Sequence, residues 1–291
     1  MGASSGSSSR NWAIELSRVA ARTEPLFLEQ DSWRRFAVHF SPPQGIPQVG
    51  ALVFVPPFAE EMNKSRRMVA LCSRALAIQG WSVLVFDPLG CGDSPGSFED
   101  ASWDAWIDDL VRAHAWLETR GGMPVGLWAL RAGALLASAA LPRLGTIPQL
   151  VLWQPVPSGG VQLQQFLRLK VAAVAIGGSA AKISTNSLLE RLQGGEPVEI
   201  AGYLLPPQLA LPLQKSTLVT PSNARRTLWF EVSASDPPAL MPASQPIAEA
   251  WRASGTDLTT QAVRGPFFWF TQEIEECPAL IEATLRGIRA G

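Results

Sequence analysis

The chain is poor in the side chains that build metal centres and disulfide frameworks. Its 291 residues include only two histidines and three cysteines. Cys72, Cys91 and Cys277 are odd in number and widely spaced, whereas a zinc site or a disulfide framework requires paired spacing. The sequence therefore predicts no metal and no cofactor, and a reducing cytoplasm is the expected location.

The chain also lacks an excess of charge of either sign and a long uninterrupted hydrophobic run. Lys and Arg total 24 and Asp and Glu total 25, a net charge of −1, so no long-range field attracts nucleic acid or anionic lipid. The most apolar stretch, 167–176, contains Arg168 and Lys170 and is shorter than the roughly 20 residues of a membrane span. We expect small or neutral partners, no nucleic acid and no transmembrane helix, although this stretch could touch a lipid.

Hydrophobic residues, by contrast, are abundant. They make up 47% of the chain and include 11 Trp, which is enough to bury a large core without a disulfide or a metal. Residues 1–11 are small and polar, and no apolar stretch typical of a signal peptide follows them. We interpret 1–11 as a disordered tail and 12–291 as a single domain.

The pattern of apolar runs predicts an α/β fold. Two β-rich runs within 25–40 flank a polar break at Asp31 and Ser32, which favours an antiparallel hairpin at a sheet edge. Continuously apolar runs, typical of parallel strands covered on both faces, occupy 50–57, 82–87, 124–130 and 148–154. Amphipathic helices are predicted between them at 63–79, 102–119 and 132–141. The predicted architecture is a mostly parallel central sheet with helices on both faces.

The alternation of strands and helices is interrupted once. Residues from about 157 to 222 contain helical pieces, paired glycines and prolines but no clear strand, and we interpret them as a cap inserted over the sheet. The alternation then resumes with a strand at 227–233, a helix at 244–253, a strand at 257–263 and a closing helix at 271–288.

The loops after the strands are the expected location of a ligand, because the crevice of an open parallel sheet lies outside the carboxyl ends of its strands. The informative loops are PPFAEEMNKSRRM (56–68), DPLGCGDSPGSF (87–98), ALRAG (129–133) and GPFFWFTQE (265–273). DPLGCGDSPG is similar to the motif D-x-x-G-x-G-x-S of the α/β-hydrolase family, and ALRAG falls where that family carries G-x-S-x-G. Over 25–289 the chain thus resembles the α/β-hydrolases.

A narrower resemblance is carried by several long segments in the same order, namely PPFAEEMNKSRRM, GCGDSPG, LWALRAGALLA and FWFTQEIEECPAL. With these segments the chain resembles the exosortase A system-associated hydrolase 2 family. That family belongs to gene clusters of Gram-negative bacteria that are linked to exopolysaccharide production and to sorting of proteins to the cell surface. The resemblance implies an α/β-hydrolase fold and a hydrolase of an exopolysaccharide system.

The catalytic triad of such hydrolases is missing. The central position of the nucleophile elbow holds Arg131, whose guanidinium stays protonated, offers no acceptor and cannot attack a carbonyl. No histidine follows the last strand, where the family carries one. His39 and His114 fall in the edge hairpin and within a helix, and we interpret both as structural. These observations exclude Ser–His–Asp acyl transfer at the elbow.

Arg131 needs an anionic partner, because burying an unpaired charge costs on the order of several kcal/mol. Within the protein, Glu60 and Glu61 are the first candidates, with Asp87 and Asp236 behind them. The alternative partner is a ligand carboxylate or phosphate, held by the guanidinium and by the N–H groups of the following helix. We favour the internal pair. Asp236 has two interpretations: it stands where the α/β-hydrolase family carries the acid of the catalytic triad, or it is only a turn residue.

The other loops supply the remaining candidates. In 60–67, acidic residues come first and basic residues follow one turn later, which is typical of a helix N-terminus with a solvated basic face. The preceding Pro-Pro-Phe instead predicts a stiff loop at the mouth of the crevice, and therefore a role in the site. Cys91 and Ser94 lie among glycines and prolines, and we interpret them as turn residues rather than nucleophiles. The aromatic run 267–270 either lines an apolar pocket or fills the space of the missing histidine, and we favour the pocket wall. The predicted ligand-binding residues are Phe58, Asn63, Lys64, Arg66, Leu130, Ala132, Phe268 and Trp269.

Two functions remain open at this point. In the first, the protein is a hydrolase without the triad that acts on a glycan, lipid-linked or acyl intermediate through carboxylates. The predicted catalytic residues are then Arg131, Glu60, Glu61, Asp87 and Asp236. In the second, the protein is a catalytically inactive pseudo-hydrolase that binds a ligand or serves as a scaffold.

Overall fold

The computed structural model of the protein describes residues 21–176 and 183–289. The predicted tail, residues 1–11, lies outside this part of the chain. The described strands are β1 (Arg22–Gln30), β2 (Trp33–Ser41), β3 (Gly50–Val55), β4 (Trp81–Phe86), β5 (Val125–Leu130), β6 (Leu150–Trp153), β7 (Val198–Ile200), β8 (Tyr203–Leu205), β9 (Thr227–Ser233) and β10 (Leu258–Arg264).

Eight of these strands form the central sheet, in the order β1-β2-β4-β3-β5-β6-β9-β10. β1 pairs with β2 along its whole length in an antiparallel hairpin at the sheet edge, which confirms the hairpin predicted from the polar break. β2 also lies antiparallel to β4, and the other neighbouring strands of this sheet run parallel. The carboxyl ends of the parallel strands therefore meet at one edge of the sheet.

Helices cover both faces of the sheet, which is why β3, β5 and β6 are buried along their full lengths. The described helices are α1 (Glu60–Ile78), α2 (Trp103–Gly121), α3 (Gly133–Ala140), α4 (Gly159–Ile176), α5 (Thr185–Gln193), α6 (Pro207–Lys215), α7 (Gln245–Ala253) and α8 (Pro278–Arg289). α1 and α8 share one hydrophobic cluster with the sheet, and α2, α3 and α7 share the other. The predicted mostly parallel sheet with helices on both faces is confirmed.

Two helix boundaries differ from the sequence prediction by three residues or more. α1 begins at Glu60 rather than at residue 63, because the two acidic residues belong to its first turn, where the helix dipole favours negative charge. The closing helix, predicted from residue 271, begins at Pro278. Proline lacks an N–H and has a fixed φ that suits the first turn of a helix, and residues 271–277 before it are irregular.

The segment predicted as a cap, residues 157–222, contains α4, α5, α6 and an antiparallel hairpin of β7 and β8. The expectation of no strand there is wrong, because runs of three residues are too short to show a periodic pattern. Leu163 and Phe166 of α4 and Leu209 of α6 join the hydrophobic cluster that also contains α2 and α3. This cap segment therefore packs on the same side of the sheet as those two helices.

Candidate functional site

The corner between β5 and α3 places Arg131 at the carboxyl edge of the sheet. Arg131 follows directly after β5 and has a φ of 54°, a left-handed conformation that is uncommon for a residue with a side chain. Its N–H donates to Trp153 O at 2.9 Å. An added Cβ at Gly133 would lie 2.4 Å from Val55 O, so α3 approaches β3 this closely only because glycine stands there. The backbone is that of a nucleophile elbow, with a guanidinium in place of the nucleophile.

Arg131 forms a buried ion pair with Glu61. Its Nη2 and Nε donate to Glu61 Oε1 at 3.1 and 3.3 Å, and the two side chains are only 11% and 8% exposed. Glu61 lies in the first turn of α1, where the helix dipole stabilises its negative charge. Of the four carboxylates predicted as partners, Glu61 is the one that contacts Arg131, and the favoured internal pair is the arrangement that the structure shows.

Two aromatic rings and one amide complete the surroundings of Arg131. The guanidinium carbon lies 5.5 Å from the ring centre of Trp269 and 5.1 Å from that of Phe270, which is the range of cation–π attraction. Nη2 also lies 3.5 Å from Gln162 Oε1, and Gln162 belongs to α4. The cation is therefore held by α1, by the cap segment and by the loop before α8.

The carboxyl group of Glu61 has altered acid–base behaviour. Burial raises the pKa of Glu61 above its ordinary value, and the neighbouring Arg131 and Gln162 side chains offset only part of this rise. Within the described part of the chain, Glu61 Oε2 is buried and has no hydrogen-bond partner. A buried acceptor without a donor costs about 1–3 kcal/mol, so a ligand that donates a hydrogen bond here would stabilise the site.

A pocket of about 180 Å³ adjoins the ion pair. Its walls come from α1 with the residues just before it, from α4 and from the loop before α8. The lining residues are Phe58, Glu60, Glu61, Lys64, Gln162, Gln165, Phe166, Leu169, Trp269 and Phe270. A mainly apolar wall with a few polar groups is the usual composition of a small-molecule site.

The pocket brings together five of the residues that the sequence analysis assigned to the site: Phe58, Glu60, Glu61, Lys64 and Trp269. Phe58 packs edge-on against Phe166 of α4, with ring centres 5.2 Å apart, and so joins the loop before α1 to the cap segment. Lys64 Nζ donates to Thr271 O at 2.7 Å, which ties α1 to the loop before α8. Gln162, Gln165, Phe166 and Leu169 were not predicted, because no motif marks the inner face of α4. Phe270 also lines the pocket, and it belongs to the aromatic run 267–270 that was interpreted as a pocket wall.

Three of the predicted ligand-binding residues lie in the protein core instead. Leu130 and Phe268 are fully buried and Ala132 is nearly so, and none of them lines the pocket. Phe268 packs against Trp153, with ring centres 6.3 Å apart. Their assignment to ligand binding is corrected, because the chain turns these side chains toward the sheet, and only the neighbouring Trp269 and Phe270 reach the pocket.

Asn63 binds the cap segment rather than the pocket. Its Nδ2 donates to Tyr203 Oη at 3.0 Å, and Tyr203 Oη donates to Glu60 Oε2 at 3.2 Å. Burial and the nearby Glu60 carboxylate raise the pKa of Tyr203 to about 12, so its hydroxyl remains a donor at neutral pH. The sequence reasoning missed Tyr203, although it is the only tyrosine of the chain, because it lies in the unpredicted hairpin.

Asp87 and Arg66 pair with each other rather than with Arg131. Arg66 Nη2 lies 3.1 Å from Asp87 Oδ1 and 3.2 Å from Oδ2. Asp93 N donates to Asp87 Oδ2 at 3.0 Å, so the carboxylate closes the turn after β4. Both side chains line a different pocket, of about 140 Å³, beside α1. The predicted places of Asp87 and Arg66 in one site with Arg131 are therefore corrected.

The nucleophile candidates of the same turn are held in structural roles. Ser94 Oγ donates to Asp87 O at 2.5 Å and accepts from Phe36 N at 2.9 Å. Burial raises the pKa of the Cys91 thiol to about 12, which leaves no thiolate at neutral pH. Both residues thus serve the turn, as the glycines and prolines around them indicate.

Asp236 lies apart from Arg131 as well. Its side chain is 78% exposed and pairs with Arg264 at 3.3 Å. It neither contacts Arg131 nor lines the pocket. Its exposed position and its pairing with Arg264 favour the interpretation as a turn residue.

One histidine does lie within hydrogen-bond distance of a serine, but near the end of the sheet opposite the elbow. His39 Nε2 lies 2.7 Å from Ser82 Oγ, and Ser82 is the second residue of β4, near the end opposite the loops that form the pocket. Burial, together with Arg120, lowers the pKa of His39 from 6.5 to about 4. His114 Nε2 lies 2.9 Å from Val125 O within the core. Neither imidazole reaches the pocket.

Residues 21–176 and 183–289 contain neither a metal-binding cluster nor a candidate membrane-spanning helix. No three His, Cys, Asp or Glu side chains in these ranges come together as a metal site would require. None of the helices there combines the length and the hydropathy that a bilayer crossing needs.

Comparison with known proteins identifies the fold. No protein-family model and no curated protein matches the sequence. Among solved structures, Est1E from Butyrivibrio proteoclasticus with bound ferulic acid is 14% identical, with a TM-score of 0.61 over 91% of this chain and 98% of that one. A soluble variant of monoglyceride lipase from Saccharomyces cerevisiae with a substrate analogue is 12% identical, with a TM-score of 0.58 over 92% and 94%.

A third similar structure is an α/β serine hydrolase without a lid from Xanthomonas campestris. It is 15% identical, with a TM-score of 0.57 over 92% of this chain and 94% of that one. The chain therefore has the α/β-hydrolase fold. At these identities the comparisons establish the fold alone, so function rests on the site itself.

Proposed function

We propose that this protein is a pseudo-hydrolase, which binds a small molecule in the pocket beside Arg131 and transfers no acyl group through a serine. The observation that carries the proposal is the buried ion pair of Arg131 and Glu61 at the elbow. A guanidinium has no lone pair to attack a carbonyl, and its partner Glu61 already neutralises its charge. Of this neutral pair, Glu61 lines the apolar pocket and gives it a polar group.

The absence of a usable base supports the same proposal. A serine nucleophile needs an imidazole within hydrogen-bond reach, and the two histidines of the chain are buried elsewhere with partners of their own. Ser94 and Cys91 are likewise engaged in the turn after β4.

The biological setting follows from the sequence resemblance. The segments shared with the exosortase A system-associated hydrolase 2 family support a role in an exopolysaccharide gene system. We therefore propose a glycan, lipid-linked or acyl intermediate of that system as the ligand, bound by a protein of the cytoplasm with residues 157–222 as its cap.

A second candidate function is hydrolysis through carboxylates. Glu60 and Glu61 both line the pocket, and burial raises the pKa of Glu61. Two carboxyl groups in different environments are the arrangement by which one acts as general acid and the other as general base. Because Asp87 and Asp236 lie outside this pocket, the second candidate rests on Glu60 and Glu61 alone.

The decisive experiment measures labelling by a fluorophosphonate probe, and turnover of esters, thioesters and oligosaccharides. For the pseudo-hydrolase we expect no labelling and no turnover by the wild-type protein. Suppose instead that the wild-type protein turns over a substrate, that Glu61→Gln or Glu60→Gln abolishes this turnover, and that Asp236→Asn retains it. The carboxylate hydrolase would then replace the pseudo-hydrolase as the function. Stoichiometric labelling of a serine would overturn both functions. Circular dichroism of each variant checks that the fold is kept.

A further inference from the structure

The pocket beside Arg131 is built mostly of aromatic and aliphatic surface. Phe58 and Phe166 form one wall, and Trp269 and Phe270 form another. Phe58 and Trp269 are almost completely buried, so these walls are rigid parts of the core. Each Å² of apolar ligand area that such a surface removes from water contributes about 25 cal/mol to the free energy of binding. These walls therefore favour a ligand with an apolar chain.

The rim of the pocket is apolar as well. Leu169 is 48% exposed and Phe270 is 58% exposed, and both line the pocket. They lie on α4 and on the loop before α8. Exposed side chains of this size at a pocket rim lower the cost of bringing an alkyl chain in from water.

The charged groups around the pocket cancel. Glu61 is neutralised by Arg131 at 3.1 Å. Glu60 and Lys64 lie one turn apart on α1 and carry opposite charges, with Tyr203 and Thr271 as their respective hydrogen-bond partners. The lining therefore has no net charge to attract a charged ligand group, and desolvation would oppose the binding of such a group.

The polar groups that remain suit an uncharged head. Gln162 and Gln165, three residues apart on α4, present neutral amides to the pocket. Glu61 Oε2 and Trp269 Nε1 are a buried acceptor and a buried donor, each without a partner among the described residues. A hydroxyl is the smallest head that both donates and accepts a hydrogen bond.

We propose that the pocket beside Arg131 binds a single-chain neutral amphiphile, an alkyl or acyl chain with an uncharged hydroxyl-type head. The chain lies between the aromatic walls, and the head lies against Gln162 and the Glu61–Arg131 pair. This proposal rests on the proposed binding function and names the chemistry of its ligand.

The test is isothermal titration calorimetry of the wild-type protein with 1-octanol, octanoate and octylammonium, three ligands with one chain length and different head charges. We expect 1-octanol to bind at least tenfold more tightly than either ion. Equal or tighter binding of an ion would overturn the proposal, and so would failure of all three to bind. The fluorophosphonate experiment tests separately whether the protein lacks a serine nucleophile. Labelling would therefore refute the proposed pseudo-hydrolase, whereas an unlabelled protein that binds none of the three ligands refutes only the ligand class.

A matched pair of variants locates the site. Leu169 and Val161 both lie on α4 and are 48% and 50% exposed, but only Leu169 lines the pocket. We expect Leu169→Glu to weaken 1-octanol binding at least fivefold, because it places a charge on the apolar rim, and Val161→Glu to leave it unchanged. Equal effects of the two substitutions would show that 1-octanol binds elsewhere and would refute the assignment.

Discussion

At the scale of single residues, the elbow shows how a charge can be kept where a hydroxyl would ordinarily stand. A cation at the start of α3 opposes the helix dipole by roughly 0.3–1 kcal/mol, and its burial adds a desolvation cost. Glu61 offsets both terms because it reaches Arg131 from the first turn of α1, where its own charge is favoured. Trp269 and Phe270 then cover the guanidinium.

The buried histidine of the edge hairpin predicts how stability depends on pH. Burial first, and Arg120 second, lowers the pKa of His39 from 6.5 to about 4. Between these values the unfolded chain binds a proton that the folded chain excludes, so stability is complete above about pH 6.5 and is lost as the pH falls toward about 4.

The free energy of unfolding that is lost through His39 is on the order of 2–3 kcal/mol. Urea unfolding of the wild-type protein and of His39→Gln at several pH values measures this loss as the difference between the two proteins. We expect the wild-type protein to lose more stability than the variant over this interval. Parallel pH curves for the two proteins would contradict the prediction.

At the scale of secondary-structure elements, the site depends on how closely α3 approaches the end of β3. Gly133 begins α3, and a Cβ there would lie 2.4 Å from Val55 O and 2.6 Å from Pro56 O. Both are backbone atoms of the strand end and the loop that leads to Glu61. The distance between Arg131 and its carboxylate is therefore set by the packing of two elements that meet without side chains between them.

Gly133→Ala should consequently destabilise the protein by about 1–3 kcal/mol, because the added methyl group overpacks this contact. Gly145→Ala is the matched control, since a Cβ at Gly145 meets nothing within 4 Å, and its effect should stay within about 0.5 kcal/mol. Urea unfolding midpoints provide the comparison. Similar midpoints for the two variants would show that the contact between α3 and the end of β3 accommodates the added methyl group.

At the scale of the whole molecule, the roof of the pocket is attached to the hydrolase-fold core by a few specific contacts. Tyr203 of β8 bonds to Glu60 and Asn63 of α1, and Gln162 of α4 approaches Arg131. Phe166 adds the apolar contact with Phe58. The cap segment thus contacts the same turn of α1 that supplies Glu61.

Tyr203→Phe should loosen this attachment while keeping the ring contacts with Phe98 and Phe166. The lost hydrogen bonds are each worth about 0.5–1.5 kcal/mol, so we expect faster amide hydrogen exchange in β7 and β8, and unchanged exchange in β3 and β5. Exchange in the hairpin equal to that of the wild-type protein would show that the hydroxyl does not hold the cap segment.

Much of the architecture was predictable from the sequence. Continuous apolar runs predict β3, β4, β5 and β6, because strands covered on both faces contain few polar residues. The same pattern cannot predict β7 and β8, which are three residues long and depend on the elements against which they pack. It also misses the start of α8 at Pro278, which a proline in the first turn indicates and apolar periodicity does not.

The sequence by itself determined that a guanidinium occupies the elbow, since the motif around Arg131 is local and its chemistry belongs to the side chain alone. It also determined that no imidazole follows the last strand. Only the tertiary structure decided that Glu61 pairs with Arg131, that Asp87 and Asp236 pair with other arginines, and that Phe270 rather than Phe268 faces the pocket. Each of these outcomes depends on distances between segments far apart in the chain, and a sequence pattern carries no such distances.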